Sequence, residues 1–152
     1  MVVVPLDGWY ACTFDHHDPK PGRTLFDKFC KWPMPYDDVW MFMTGLNEAR
    51  LQLAEQHTAG KCDVITFSHF LPRKELPLPG VYEMAKASGC LKLEEQLRRA
   101  RSKLHIFGHT HINTVHELDG VRYMQNAMGY GISPNAKLTV VHDSGSFRDY
   151  CA

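Results

Sequence analysis

The stretch LHIFGHTHIN, residues 104–113, decides how the rest of the chain is read. A short apolar run, Leu104 to Phe107, stops at Gly108, and two histidines, His109 and His111, follow with one threonine between them. An apolar run of this length bounded by a turn residue reads as a buried strand, expected here over Lys103–Phe107. The earlier segment CDVITF, residues 62–67, has the same form and runs into Ser68-His69. In an α/β sheet, functional groups collect in the crevice beyond the carboxyl ends of the strands, so three histidines can meet there. Gly108 ahead of the pair lets the backbone turn sharply, which allows imidazoles spaced by one residue to approach a common centre. Imidazole is a borderline ligand for ions such as zinc, iron and manganese.

Outward from these strands the chain alternates. The three valines in Met1–Leu6 favour a first strand. From Trp9 to Tyr36, Pro, Gly, Asp and aromatic residues follow one another without periodicity, which predicts a long loop region. Thr44 is expected to cap a helix running to about His57, with Leu46, Ala49, Leu53 and Gln56 on one side and Gly60 as its stop. After the Pro-rich segment Leu71–Gly80, Ser88 and Gly89 open a second helix in which Leu93, Leu97 and Ala100 recur at helical spacing. Thr114–Leu118 and Val121–Gln125 flank Asp119-Gly120, a strong hairpin signal. Lys137–His142 is the last expected strand. Without an internal repeat, a single α/β domain is the simplest organisation.

Composition bounds what such a domain does. A chain of 152 residues with 44% hydrophobic content can build one core. Its 17 basic and 17 acidic residues cancel and are dispersed, so it carries no electrostatic footprint for nucleic acid or an anionic membrane. The opening MVVVPLDGWY lacks a basic leader region, and no apolar stretch approaches the ~20 residues of a membrane span. Five widely spaced cysteines without a C-x-x-C pair read as reduced thiols, and the expected location is intracellular, in the cytoplasm.

Each histidine also has a plainer reading. A single histidine after a strand, such as His69, is commonly a hydrogen-bonded structural residue, and His-x-His alone is a ligand pair only in a minority of cases. His105 points away from Leu104 and Ile106 in a strand and is read as packed or surface-exposed, with no role. His16, His17, His57, His116 and His142 have no second ligand at useful spacing, and Asp15-His16-His17-Asp18 is read as a loop. Arg73, four residues after His69, has a donor fork that suits a phosphate oxygen, although an exposed loop arginine is the plainer reading. Trp9, Tyr10, Trp32 and Trp40 are expected to pack in the core or a lid, and Asn126 and Tyr130 to line the site.

Taken in order, Ser68-His69-Phe70, the helix EEQLRRAR, LHIFGHTHIN and DGVRY resemble the C-terminal half of the calcineurin-like metallophosphoesterases. The ordered set is more specific than Gly-His-Thr-His alone, and it runs from the first strand to about Tyr130. The resemblance implies that residues 1–152 are the C-terminal portion of such a domain, part of an α/β/β/α β-sandwich flanked by helices. That family holds two divalent metal ions (Mn, Fe or Zn) with five motifs: Asp-x-His, Gly-Asp-x-x-Asp, Gly-Asn-His, a single His after a strand, and Gly-His-x-His. This chain matches the last two. The resemblance makes His69 and His109 ligands of one metal and His111 a ligand of the other. The opening MVVVPLDGWY is similar to the segment that follows Gly-Asn-His.

The unmatched motifs matter chemically. In a two-metal hydrolase the ions sit ~3.5–4 Å apart, clamp the phosphoryl oxygens and activate a bridging water. The bridging carboxylate, the Asn ligand and the His that assists the leaving group belong to the unmatched part, so no catalytic residue is assigned, and a missing N-terminal segment would complete the site. Asp37-Asp38 reads as a helix start, and Asn47 lies in a helical pattern rather than in a Gly-Asn-His motif. Three neutral imidazoles leave the charge of two dications uncompensated. The chain by itself is therefore expected to bind at most one borderline ion, weakly, and to hydrolyse little or nothing. The resemblance implies a metal-dependent phosphoesterase acting on a phosphomonoester or phosphodiester. The alternative is a non-catalytic metal-binding or interaction remnant of the fold.

Overall fold

In the computed structural model, which describes residues 1–14, 25–58, 62–80, 82–129, 138–143 and 145–147, the valine run forms β1 (Val2–Pro5). It is followed by α1 (Val39–Gly45), α2 (Glu48–Thr58), β2 (Val64–Phe67), α3 (Tyr82–Lys86) and α4 (Lys92–Arg99). Then come β3 (Leu104–Ile106), β4 (Thr114–Leu118), β5 (Val121–Gln125) and a short ribbon of β6 (His142–Asp143) and β7 (Ser146–Phe147). The main sheet has five strands in the order β1-β2-β3-β5-β4. β1, β2, β3 and β5 are parallel neighbours, and only β4 is antiparallel, beside β5. The fold is thus α/β with a mixed sheet. Pro5 lies in the edge strand β1, where a missing N–H costs no ladder bond on the open side.

Strand alternation divides the core between the two faces of the sheet. Val4, Val64 and Tyr123 pack with Leu51 of α2 and with Leu93 and Leu97 of α4. Ile65, Leu104 and Met124 point the other way, against Val115, Val141 and Phe147. On the helical face, Asn47 lies fully buried just before α2; its amide accepts from Asp7 N and donates to Asp7 O, both at 2.8 Å, and donates to Gln96 Oε1 at 2.8 Å. The chain leaving β1 is thereby clipped to α2 and α4, with an Arg50–Asp7 ion pair beside it. Across the outer surface, Arg99 of α4 bonds Glu48 and Glu55 of α2 at 2.6–3.0 Å.

Several local expectations change. The helix expected from Thr44 to His57 is two helices, and Thr44 sits inside the last turn of α1, its hydroxyl donating to Trp40 O at 2.8 Å. Leu46, Ala49, Leu53 and Gln56 lie on the exposed side, while Asn47, Leu51 and Ala54 are buried. A buried, fully bonded asparagine disguises the inward face from a reading based on apolar spacing. Ser88 and Gly89 precede α4 without starting it. Gly89 forms a bridge with Leu71, and a Cβ on it would sit 2.4 Å from both Leu71 O and the Phe14 ring. The glycine is therefore required by close backbone approach. Part of the loop expected from Trp9 to Tyr36 forms short 3₁₀ turns at Leu25–Phe29 and Tyr36–Asp38.

The last expected strand, Lys137–His142, is instead β6, starting at His142 and turning at Gly145 into β7. The hairpin keeps its expected limits, with Asp119 at φ 50° and Gly120 at φ 76°, the two left-handed residues of a turn that matches strand twist. Cys12, Cys30, Cys62 and Cys90 are free thiols. Among the described residues no helix is long and apolar enough to cross a membrane. Asp15, His16, His17, Asp18, Gly60, Tyr130 and Cys151 lie outside the described residues.

Candidate functional site

β2 and β3 pair in parallel with Phe67 opposite Ile106, so the segments that follow them emerge side by side. Ser68 N donates to Ile106 O at 3.0 Å, and Gly108 N donates to His69 O at 3.1 Å, which carries the pairing one step beyond the ladder. This places His69 Nε2 3.0 Å from His109 Nδ1, with ring centroids 4.9 Å apart and planes at 78°. His111 lines the same cavity, about 450 Å³ in volume. The two strand-end motifs are therefore neighbours at one end of the sheet.

The turn does not work as the glycine suggested. Left-handed φ falls on His109 (72°) and His111 (58°), and not on Gly108. Outside glycine such φ values are uncommon, and they persist where surrounding structure holds them. Here Gln125, at the end of β5, supplies the hold: its amide donates to Thr110 Oγ1 at 2.8 Å and to Ile112 O at 2.6 Å. Asn113 Oδ1 accepts from Ala127 N at 2.6 Å at the far end of the loop. Neither Gln125 nor Asn113 has a sequence signal, since each acts by long-range contact.

Below the histidine pair lies a buried polar chain. His105 is fully buried, its Nδ1 2.8 Å from Thr66 Oγ1 and its Nε2 3.1 Å from Ser68 Oγ. Ser68 donates to Phe70 O at 2.7 Å, and Ser102, 2.9 Å from Thr66 Oγ1, donates to Leu104 O at 2.8 Å, so the hydroxyls around the ring are bonded onward. Each nitrogen of the imidazole has a hydroxyl within hydrogen-bonding distance. Burial holds it neutral, with its pKa pushed down to about 3. His105, read as packed or surface-exposed, is thus packed, bonded immediately beneath the turn that carries His69.

Both imidazoles of the pair are also biased toward the neutral form that ligates metals. Burial, then the nearby His111, lowers His69. Burial, then His69, brings His109 down to about 4, against a hydrogen bond to the Ala87 main chain that raises it. With metal–nitrogen bonds of about 2.0–2.1 Å, two nitrogens bound side by side on one ion sit roughly 3 Å apart, which is the separation seen here. The third ligand is lacking: among the described residues no group of three His, Cys, Asp or Glu side chains is placed to hold an ion. As they stand the two rings share an N–H···N hydrogen bond, and the trio does not form a complete metal site.

The other wall of the cavity is Trp9, Tyr10, Phe70, Pro79 and Met84, with Cys30 and Ala87 among them. Phe70 joins the two walls, with ring centroids 5.0 Å from His69, 4.8 Å from His109 and 5.3 Å from Trp9. Trp9 Nε1 and Tyr10 Oη both bond Tyr36 Oη, at 3.2 and 2.5 Å. The aromatics expected to pack in a core or lid are split: Trp9 and Tyr10 wall the cavity, Trp32 stands edge-on to Trp9, and Trp40 packs on the core. Arg73 points elsewhere, its guanidinium donating to Glu75 at 2.7 Å and Asp119 at 2.5 Å and lying over the Tyr123 ring. Hydrogen bonding by Glu75, and further by Asp119, raises its pKa. Asn126 Nδ2 donates to Thr139 Oγ1 at 3.0 Å.

No family model matches the chain, and no curated protein matches it in sequence. Among solved structures, the crystal structure of Phosphopantetheinyl Hydrolase from Mycobacterium tuberculosis is similar in fold, with a TM-score of 0.64 at 21% identity. The match covers 84% of this chain and 49% of that one, so the chain spans about half the length of the structure it resembles.

Proposed function

We propose that this chain supplies part of the site of a metal-dependent phosphoester hydrolase. The observation that carries the reading is the pair of imidazole nitrogens 3.0 Å apart at the ends of two parallel strands. In this reading His69 and His109 hold one divalent ion, and His111 faces a second. Mn, Fe and Zn all accept imidazole, and zinc needs the fewest carboxylates. A bound ion would supply Lewis acidity toward the phosphoryl oxygen and an acidified water. Ser68, His105 and Gln125 hold the turns that carry the two rings, and burial keeps His109 neutral.

The similarity in fold to a protein that is itself a phosphopantetheinyl hydrolase supports phosphoester chemistry. The second sheet of an α/β/β/α sandwich and the carboxylate ligands belong, in this proposal, to a complementing segment with the unmatched motifs. A second reading, a non-catalytic metal-binding or interaction module, is favoured by one fact: no carboxylate lines the cavity among the described residues.

The test is metal-free chain titrated with Zn²⁺ and Mn²⁺ and assayed on p-nitrophenyl phosphate and bis(p-nitrophenyl) phosphate, with and without a complementing segment. His69→Ala and His109→Ala are run beside it. Zinc binding lost in both variants, with turnover only in the complemented protein, supports the hydrolase. Zinc binding with no turnover in either form supports the second reading, and zinc affinity unchanged in both variants removes the metal site.

A further inference from the structure

The cavity beside the histidines has an unusual lining for a site that handles phosphate. Trp9, Tyr10, Phe70, Pro79 and Met84 form most of its wall, beside the Cys30 side chain, and none of its described lining residues carries a carboxylate, an ammonium or a guanidinium. Arg73, the nearest arginine in sequence to His69, is engaged by Glu75 and Asp119. The polar tips of Trp9 and Tyr10 are spent on Tyr36, so what these two rings offer a ligand is their apolar surface. Phe70 makes that surface continuous with both imidazoles. A molecule with its phosphoryl group at His69 and His109 would therefore lay its remaining part against aromatic carbon.

We infer that the cavity binds the organic half of a phosphoester whose esterifying group is uncharged and apolar, aryl or branched alkyl, and disfavours substrates with further phosphates or other charges. The inference rests on the phosphoester reading above and adds to it the class of group next to the phosphorus. A second phosphate in this cavity would lose hydration without meeting a cation, which is costly. A phenyl or alkyl group gains by leaving water, and shape against Trp9 and Phe70 would select among such groups.

Paired phosphonates test this, because they share a headgroup and resist hydrolysis. The whole chain, supplied with Zn²⁺, is titrated calorimetrically with methylphosphonate, phenylphosphonate and methylenediphosphonate. Phenylphosphonate should bind about tenfold or more tighter than methylphosphonate, a difference that burial of one aromatic ring supplies. Methylenediphosphonate should gain nothing over methylphosphonate once zinc chelation in free solution is subtracted. Met84 is partly exposed, so Met84→Ala should fold, and it should shrink the phenyl preference. Trp9→Leu should shrink the same preference.

Equal binding of the phenyl and methyl compounds overturns the inference and leaves the phosphoester reading standing. A phenyl preference unaffected by either variant also overturns it, since the ring would then sit elsewhere. If neither monophosphonate binds, the phosphoester reading fails and the inference falls with it.

Discussion

His69 Nε2 and His109 Nδ1 lie 3.0 Å apart, although the two residues are 40 positions apart in the chain. The parallel pairing of β2 with β3 sets this approach, and it leaves His111 outside any group of three described ligands. The three histidines should therefore be unequal. Zinc titration should show His69→Ala and His109→Ala each losing more than about tenfold in affinity, while His111→Ala loses less than about threefold. Equal losses in all three variants would mean that the loop closes into a three-ligand site.

Gln125 holds the loop that carries His109 and His111 through Thr110 and Ile112. Gln125→Ala removes both donors and leaves the Ile112 carbonyl and the buried Thr110 hydroxyl to find others. A cost of about 1–3 kcal/mol in urea unfolding is expected, with weaker zinc binding in the folded protein. Unchanged zinc affinity would show that the strand ends alone hold the loop.

Gly89 meets the Leu71 carbonyl and the Phe14 ring so closely that a methyl group would overlap both. Gly89→Ala should destabilise the protein by about 1–3 kcal/mol, as overpacked cores do. The midpoint of chemical denaturation reads this directly, and an unchanged midpoint would mean that the contact between the two segments is slack.

His105 is neutral when folded, its pKa held by burial down to about 3, against 6.5 for the free side chain. Between those values the unfolded chain binds more protons than the folded one. This contribution to stability is complete above about 6.5 and is lost as pH falls toward 3, at up to about 1.4 kcal/mol per pH unit. The difference in unfolding free energy between the native chain and His105→Gln, measured across this range, should carry that slope. A flat difference would mean that the hydroxyls of Thr66 and Ser68 stabilise the imidazolium.

What was legible in the sequence is what depends on neighbours in the chain. The Thr114–Leu118 and Val121–Gln125 hairpin stands at its expected limits because Asp119-Gly120 fixes its turn locally. The strands before His69 and His109 were readable as apolar runs ending in a turn, and their adjacency followed from the α/β order. The inward face of α2 was not readable, because Asn47 is buried there through bonds to Asp7 and Gln96, 40 and 49 positions away. His105, read as packed or surface-exposed, is packed, and which of the two it would be was not readable, because Thr66 and Ser68 satisfy it from another strand. Trp9 and Tyr10 do pack on the core as expected, and that they also line a cavity was not readable, since nothing in Trp9-Tyr10 tells which surface will face it.

The left-handed backbone at His109 and His111 sets this loop against the chain's own preferences, because glycine or asparagine would occupy those φ values more comfortably. Selection for thermal tolerance alone would drift toward them, and each such step would discard an imidazole. A library of variants sorted only for resistance to heat should thus enrich His111→Gly and His111→Asn, and a library sorted for zinc retention should purge the corresponding changes at His109. The loop would behave as a trade-off between durability and chemistry, confined to two positions of one turn.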